Sequence, residues 1–175
     1  MKESCKLALL SAVFMVGLTA TASAETVVVK TKCGDAPSSA NCDARDPVAQ
    51  GCDVNTIVVD RVKLFDKKNQ RVGVLRLVYS NKCGTFWGRV LSDRGDAFDV
   101  FLMSVANNDA QVYGAHKNAT GVSTTGNSPM RFKPMAATAS VILQITGTSQ
   151  FISQSTRTCG IPGSSNACTP PTVPE

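Results

Sequence analysis

The fold is decided by the stretch "TIVVDRVKLFDKKNQRVGVLRLVYS", residues 56–80. Its first part alternates along the chain and is rich in β-branched residues, which is typical of a half-buried strand. Val58, Val62 and Leu64 share one parity, and Val59 falls on the other. The polar run "DKKNQR" then predicts a turn, and "VGVLRLVYS" returns with three large side chains on one face: Leu75, Leu77 and Tyr79. The stretch therefore predicts a β-hairpin.

Further short apolar runs follow the hairpin at close intervals. They are "TFWGRVL" (85–91), "FDVFLMSV" (98–105), "AQVYGAH" (110–116), "ATASVILQIT" (137–146) and "SQFISQST" (149–156). Residues that favour turns separate several of them, as in "SDRGD" and "ANND". No segment sustains a helical apolar period. The sequence predicts an all-β fold, an antiparallel β-sandwich or barrel over residues 56–158.

The first residues have the pattern of a signal peptide. Residues 1–24 begin with Lys2 and Lys6, continue into an apolar run and end in "ASA", so cleavage is expected after Ala24. The apolar run is too short for a stable transmembrane helix. We therefore expect a secreted protein without stable membrane insertion.

The cysteines predict disulfides. Cys5 lies in the leader, and the rest of the chain has an even set: Cys33, Cys42, Cys52, Cys83, Cys159 and Cys168. Thiols outside the cell are normally oxidised. Six cysteines allow 15 pairings, which sequence alone cannot separate. Proximity along the chain favours 33–42, 52–83 and 159–168.

Two terminal regions flank the predicted β-domain. Residues 25–55 contain three of the cysteines and few core-forming side chains, so this N-terminal segment is expected to need disulfide staples. Residues 159–175 are rich in proline, which cannot donate ladder hydrogen bonds. We expect a disulfide-closed tail with a loose end.

The charge argues against nucleic-acid binding. The chain has a net charge of +5, which becomes +4 without the leader, since two of the 18 Lys and Arg and one of the 13 Asp and Glu lie there. The positive charges are spread along the sequence and are not interleaved with aromatic residues. Such a balance fits weak attraction to an anionic cell envelope.

The residues that could bind a metal have the wrong spacing. Structural zinc sites use closely spaced cysteine pairs or cysteines with histidines, and the only histidine is His116. A calcium site from Asp43, Asp46 and Asp53 would lack the usual order of acidic ligands. No metal or other cofactor is expected.

An enzyme would have to use His116. A serine triad needs a histidine base, and no Gly-x-Ser-x-Gly motif is present. The remaining possibility is a hydrolase that pairs His116 with an aspartate such as Asp99 or Asp109. No residue is assigned a catalytic role on this basis.

The segment "YSNKCGTFWGRV", residues 79–90, concentrates aromatic side chains around Cys83. One interpretation is a core packed against a disulfide. The other is a stacking face for a sugar or peptide, because aromatic and arginine side chains dominate binding hot spots. The candidate binding residues are Arg76, Tyr79, Phe86, Trp87 and Arg89.

Two elements of the sequence together resemble the YjfA-type family of small secreted bacterial proteins. The first is the order Cys33, Cys42, Asp46-Pro47, Gly51-Cys52 and Thr56; the second is "LRLVYSNKCGTFWGRV", residues 75–90. The sequence departs from the family in the Leu-Val insertion before Tyr79 and in Gly88, where Ala is usual. The resemblance implies an exported, cysteine-stapled domain of uncharacterised function, without catalytic residues to carry over.

These observations favour a secreted, non-enzymatic, disulfide-stabilised binding or adaptor domain. Its expected partner is another secreted protein or a cell-surface glycan. The alternatives are the hydrolase that uses His116 and a structural component of the cell envelope.

Overall fold

The computed structural model describes residues 31–106 and 109–169. The predicted signal peptide and the end of the proline-rich tail, residues 170–175, lie outside these described residues. Within the described ranges, no helix has both the length and the apolar character needed to cross a membrane.

The chain forms two antiparallel sheets that pack face to face. The elements in order are α1 (Ser39–Cys42), β1 (Thr56–Phe65), β2 (Arg71–Ser80), β3 (Thr85–Ser92), β4 (Ala97–Ala106), β5 (Asp109–Lys117), β6 (Thr124–Asn127), β7 (Arg131–Phe132), β8 (Ala136–Gln144) and β9 (Phe151–Ser155). Sheet A has the order β1-β2-β3-β6, with β7 also paired to β3, and sheet B has the order β5-β4-β8-β9. The predicted antiparallel all-β fold is confirmed.

The predicted hairpin is confirmed as β1 and β2, which pair from Thr56 opposite Ser80 to Phe65 opposite Arg71. The turn between them is closed by Asp66. Its carboxylate accepts hydrogen bonds from the backbone N–H groups of Lys68 and Gln70, each at 2.9 Å. An aspartate that binds the backbone of its own turn stabilises the reversal directly.

A register shift in β1 puts Val58 and Val59 on the opposite faces of the sheet from those that simple alternation predicts. The pairing skips between Val58 and Asp60, so Val58 lies opposite Val78 on the outer face of sheet A. Val59 is instead buried in the main core at 2% exposure. The one-residue irregularity reverses the side-chain alternation, which sequence parity alone does not show.

The main core fills the space between the sheets. Sheet A contributes Val59, Leu64, Val72, Leu75, Leu77, Tyr79, Phe86 and Val90. Sheet B and the residues beside it contribute Phe98, Val100, Leu102, Ala137, Ala139, Val141, Leu143, Ile145, Ile152 and Cys159. The expectation that Leu75, Leu77 and Tyr79 share one face is confirmed.

The sheets approach each other closely at Gly88 in β3. A Cβ atom added there would lie 3.0 Å from the backbone oxygen of Phe101, 3.1 Å from Val100 Cγ2 and 3.2 Å from Ala139 Cβ. The missing side chain is therefore what allows this separation, a recurrent use of glycine inside strands.

The three disulfides join the predicted pairs, Cys33–Cys42, Cys52–Cys83 and Cys159–Cys168. Residues 31–55, called the stapled segment below, lie over part of the outer face of sheet A. Beneath them is a second core, the stapled core, made of Cys33, Cys42, Cys52, Val78, Cys83, Trp87 and Met130.

Hydrogen bonds fix the stapled segment to the chain around β7. Ala44 donates to the Met130 carbonyl at 3.0 Å, and Met130 donates to the Arg45 carbonyl at 2.9 Å. The Asp43 carboxylate accepts from the Phe132 N–H at 2.7 Å and lies 3.3 Å from an Arg131 nitrogen. The segment is thus held by backbone pairing and an ion pair as well as by disulfides.

Candidate functional site

The structure distributes the three predicted aromatic residues between two cores. Tyr79 and Phe86 lie in the main core with ring centroids 4.8 Å apart and are 8% and 0% exposed. Trp87, the next residue, points to the opposite face and is 0% exposed in the stapled core. Successive strand residues face opposite sides of a sheet. The rings therefore do not form one exposed stacking face.

The two predicted arginines do come together. Arg76 of β2 lies directly opposite Arg89 of β3, and Arg61 of β1 lies directly opposite Arg76. All three positions are on the outer face of sheet A and are half-buried. Arg61, Arg76 and Arg89 form what we call the arginine row, and its edge is Asn127 of β6, opposite Arg89.

The row places like charges on neighbouring strands. Strands in a sheet are about 4.8 Å apart, so the three Cα atoms span roughly 10 Å. The row therefore places a line of positive charge with a defined spacing on the outer face of sheet A.

Burial and two neighbouring charges determine the pKa of Arg89. Burial is the main cause of its lowered pKa; the Asp53 carboxylate acts in the opposite direction, and the charge of Arg76 lowers the pKa by a smaller amount. Arginine remains charged at neutral pH despite such effects.

Arg89 is held from two sides. Its Nε donates a hydrogen bond to Asn127 Oδ1 at 2.9 Å, and its Cζ lies 5.7 Å from the centroid of the Trp87 ring. This distance is that of a cation–π contact. The stapled core, which fixes Trp87, therefore supports the guanidinium from below.

Other basic side chains extend the row into a cationic face. Arg61 and Arg76 line a shallow depression with Lys63, Arg71, Val74 and Leu91. Arg71 is partly neutralised, because its Nε lies 2.9 Å from Asp93 Oδ2. The depression thus combines an apolar floor with a basic rim.

The structure brings His116 together with Asp99 but not with Asp109. His116 Nδ1 lies 2.8 Å from Asp99 Oδ1, and Nε2 lies 3.0 Å from Asn118 Oδ1. These hydrogen bonds raise the pKa of His116, that with Asp99 first. Asp109, at the start of β5, instead contacts Arg131 and Gln111. Both ring nitrogens of the histidine are already engaged.

The groups considered as metal ligands have structural roles. The sulfur atoms of Cys33, Cys52 and Cys83 lie within 4.8 Å of one another, but each belongs to a disulfide. They therefore offer no thiolate, the form of cysteine that binds metals. Asp46 caps its own turn by accepting from the Ala49 N–H at 2.8 Å.

Arg61 is the member of the row that the sequence interpretation did not single out. The signal was present in the hairpin, because the polar run of residues 66–71 is centred between Lys68 and Asn69, and Arg61 and Arg76 are equally distant from that point. Residues related in this way face each other across a hairpin. The register, and not the aromatic content, identifies the site.

A family model described as "Protein of unknown function (DUF2690)" matches residues 40–142. The matched part runs from α1 into β8 and includes all three residues of the arginine row. No curated protein and no solved structure matches the chain.

Proposed function

The chain belongs to the DUF2690 family of proteins of unknown function, and we propose that it is a secreted, non-enzymatic binding domain whose arginine row holds an anionic cell-surface polymer. The observation that carries this proposal is the direct cross-strand alignment of Arg61, Arg76 and Arg89. The alignment presents three guanidinium groups in a line across neighbouring strands, at the spacing of the strands themselves.

The chemistry of the row suits repeated oxyanions. Guanidinium groups donate several hydrogen bonds in a fixed fork and pair bidentately with phosphate and carboxylate groups. Groups spaced by about 4.8 Å, the distance between strands, can meet successive anionic groups of a chain laid across the sheet. A single small anion would use only part of this line.

The site is also rigid, which favours affinity. The row lies on three adjacent strands, and Arg89 is supported by Asn127 and Trp87. Pre-positioned side chains lose less conformational entropy on binding than flexible ones. The stapled segment thus serves the site indirectly, by holding Trp87 beneath it.

Export is supported by the disulfides and by the family resemblance. The chain has three disulfides, which are typical of oxidising compartments outside the cytosol. The family match contains Cys42 and the whole of the "LRLVYSNKCGTFWGRV" element, which also carry the resemblance to the YjfA-type family. A secreted bacterial protein of that type would meet anionic glycans at the cell surface.

The proposal is tested by calorimetric titration with inorganic polyphosphate, a model for repeated oxyanions. The variant R61Q/R76Q/R89Q removes the row, and K32Q/K67Q/K68Q removes the same charge from exposed positions elsewhere. Hydrogen bonds to charged groups contribute about 1.5–3 kcal/mol each, so the first variant should bind at least tenfold more weakly. The control variant should bind within about threefold of the parent protein, and binding should weaken as salt is added.

Equal losses in the two triple variants would show that net charge, and not the row, attracts the polymer. If an acidic secreted protein bound in preference to polyphosphate and to anionic glycans, that protein, and not a polymer, would be the partner.

A hydrolase remains the second candidate, favoured by the 2.8 Å contact between His116 and Asp99. A histidine oriented by a carboxylate is the arrangement of a general base. The proposal of a hydrolase predicts that H116A abolishes cleavage of ester or glycan substrates and leaves polyphosphate binding unchanged.

A further inference from the structure

The outer face of sheet B differs in character from the rest of the molecule. Its side chains follow the register of the four strands, with opposed residues on the same face. The positions are Ala97, Asp99, Phe101, Met103 and Val105 of β4, Ala110, Val112, Gly114 and His116 of β5, Ala136, Thr138, Ser140, Ile142 and Gln144 of β8, and Phe151, Ser153 and Ser155 of β9.

Five large apolar side chains on this face are exposed. The exposed fractions are 40% for Met103, 45% for Val105, 64% for Val112, 41% for Ile142 and 62% for Phe151. By the strand register they form two groups, Met103 with Val105 and Val112 at one end of the face and Ile142 with Phe151 at the other. Grouped apolar exposure marks an interaction surface more often than isolated exposed residues do.

The face carries almost no charge. At the described positions named above, the ionisable residues are Asp99 and His116, which pair with each other at one end. An acidic partner would be attracted to the cationic face of sheet A and not to this face, which carries almost no charge. A second, identical uncharged face is complementary to it without any ion pair.

Several hydroxyl groups on this face already form hydrogen bonds with one another. Ser140 and Ser155 hydroxyls are 2.7 Å apart, and Thr138 and Thr158 hydroxyls are also 2.7 Å apart. Because these hydroxyls already share hydrogen bonds, covering them leaves fewer unsatisfied groups. The Phe101 ring fills the space over Gly114, where an added Cβ would lie 2.8 Å from it. The Phe101 ring therefore makes the surface flatter, and some of its hydroxyl groups already have hydrogen-bond partners within the protein.

The area of the face fits a small dimer interface. Four strands of these lengths, at about 4.8 Å separation and 3.3 Å rise per residue, give a flat projection of roughly 500 Å². The accessible surface of a corrugated sheet exceeds its projection, and stable complexes bury roughly 600–1,000 Å² per partner. Two copies packed through this face would reach the lower part of that range.

We propose that the outer face of sheet B joins two copies of this chain in a two-fold dimer. Sheets that pack face to face lie about 10 Å apart, so the dimer is a stack of four sheets with two B sheets at its centre. The arginine rows then face outward on opposite sides. The dimer rests on the apolar face alone and not on the proposed function; if both hold, each dimer offers two polymer sites.

The test is sedimentation analysis of the purified protein from 1 to roughly 100 μM, a range that covers typical dimer affinities. The parent protein should sediment as a dimer at the upper end. V112D places a charge on the edge strand β5, at the most exposed of the five apolar side chains, and should weaken dimerisation at least tenfold. V54D makes the same change at a valine that is 55% exposed on the stapled segment, and it should remain dimeric.

A parent protein that stays monomeric at the highest concentration would overturn the dimer, as would equal effects of V112D and V54D. Thermal melting of both variants checks that they fold. R61Q/R76Q/R89Q should remain dimeric, so a loss of polymer binding in that variant is distinguishable from a loss of the dimer.

Discussion

The outer faces of the two sheets are built by the same strand alternation and yet differ in both cover and charge. The outer face of sheet A is partly buried beneath the stapled segment, and the rest carries Arg61, Arg76 and Arg89. No segment of the described residues covers the outer face of sheet B, and its described ionisable residues are one ion pair. One main core thus supports two surfaces of different character, for which we propose different partners.

The difference shows what a disulfide-stapled segment can add to a sandwich. Residues 31–55 have few large apolar side chains, and their cover over Trp87 depends on two disulfides that pack together. This cover places a rigid aromatic ring under Arg89. Within the described residues no comparable segment lies over sheet B, and its exposed valines and Phe151 belong to the proposed dimer contact.

The largest effect is expected from removing the cover of sheet A. C52S/C83S opens a disulfide with a sequence separation of 31 and should lower the free energy of unfolding by about 3–4 kcal/mol in the chain-entropy model. Trp87 should become exposed, which is measured as a red shift of its fluorescence. C159S/C168S, with a separation of 9, is the control and should leave the emission unchanged. An unshifted Trp87 spectrum in C52S/C83S would contradict the covering role.

The next largest effect is expected from a substitution that pushes the two sheets apart and leaves both outer faces unchanged. G88V adds a branched side chain at a position where an added Cβ alone would lie 3.0 Å from the Phe101 oxygen. Overpacking of a close interface should lower the free energy of unfolding by about 2–3 kcal/mol, measured by urea denaturation. G88A should cost less, and a G88V protein as stable as the parent would show that this contact is not a constraint.

A smaller, pH-dependent effect is expected where sheet A meets the chain after β9. Asp60 accepts hydrogen bonds from the Arg157 backbone and guanidinium groups at 2.8 Å each. Burial alone would raise the pKa of Asp60, but the bonds from Arg157 outweigh it and the net change is a lowered pKa. The stability from this pair is therefore present above the unfolded pKa of about 3.9 and is lost as pH falls through the folded value.

D60N should accordingly be less stable than the parent at pH 7, and the difference should shrink near pH 3. Urea denaturation at the two pH values measures it. A constant difference between the two proteins at both pH values would argue that Asp60 contributes through packing and not through its charge.

The smallest effect is expected on sheet B. The pKa of His116 is raised by its hydrogen bonds to Asp99 and Asn118. The associated stability is present below the unfolded pKa of about 6.5 and is lost as pH rises through the folded value. H116A should remove this slight pH dependence, followed as the melting temperature between pH 5 and about 8.5. A melting temperature that falls just as steeply with rising pH in H116A as in the parent would contradict this assignment.

Sequence reasoning predicts most of the sandwich because the strands have local signals. The polar turn and the alternation identify β1 and β2, and chain proximity identifies the three disulfides. The irregularity at Val58 is not visible, since it arises from pairing with β2 and not from composition. The short elements α1, β6 and β7 are also missed, because their few residues form structure through contacts with distant parts of the chain.

The candidate site is predicted only in part, because strand pairing and not local sequence brings its members together. Arg76 and Arg89 are recognised as neighbours of an aromatic cluster, but strand alternation puts Phe86 and Trp87 on opposite faces. Arg61 joins them only through the cross-strand register. A surface built across three strands is a tertiary property, and its members are far apart in sequence.

The most direct test of the arginine row is an NMR titration of arginine Nε–Hε signals with inorganic polyphosphate. The account predicts shifts concentrated at Arg61, Arg76 and Arg89, with a parallel change in the Trp87 indole signal. Arg45, on the stapled segment, and Arg157, after β9, are internal controls that should move little. Shifts that are largest at Arg45 or Arg157, or equal at all arginines, would contradict a binding site at the row.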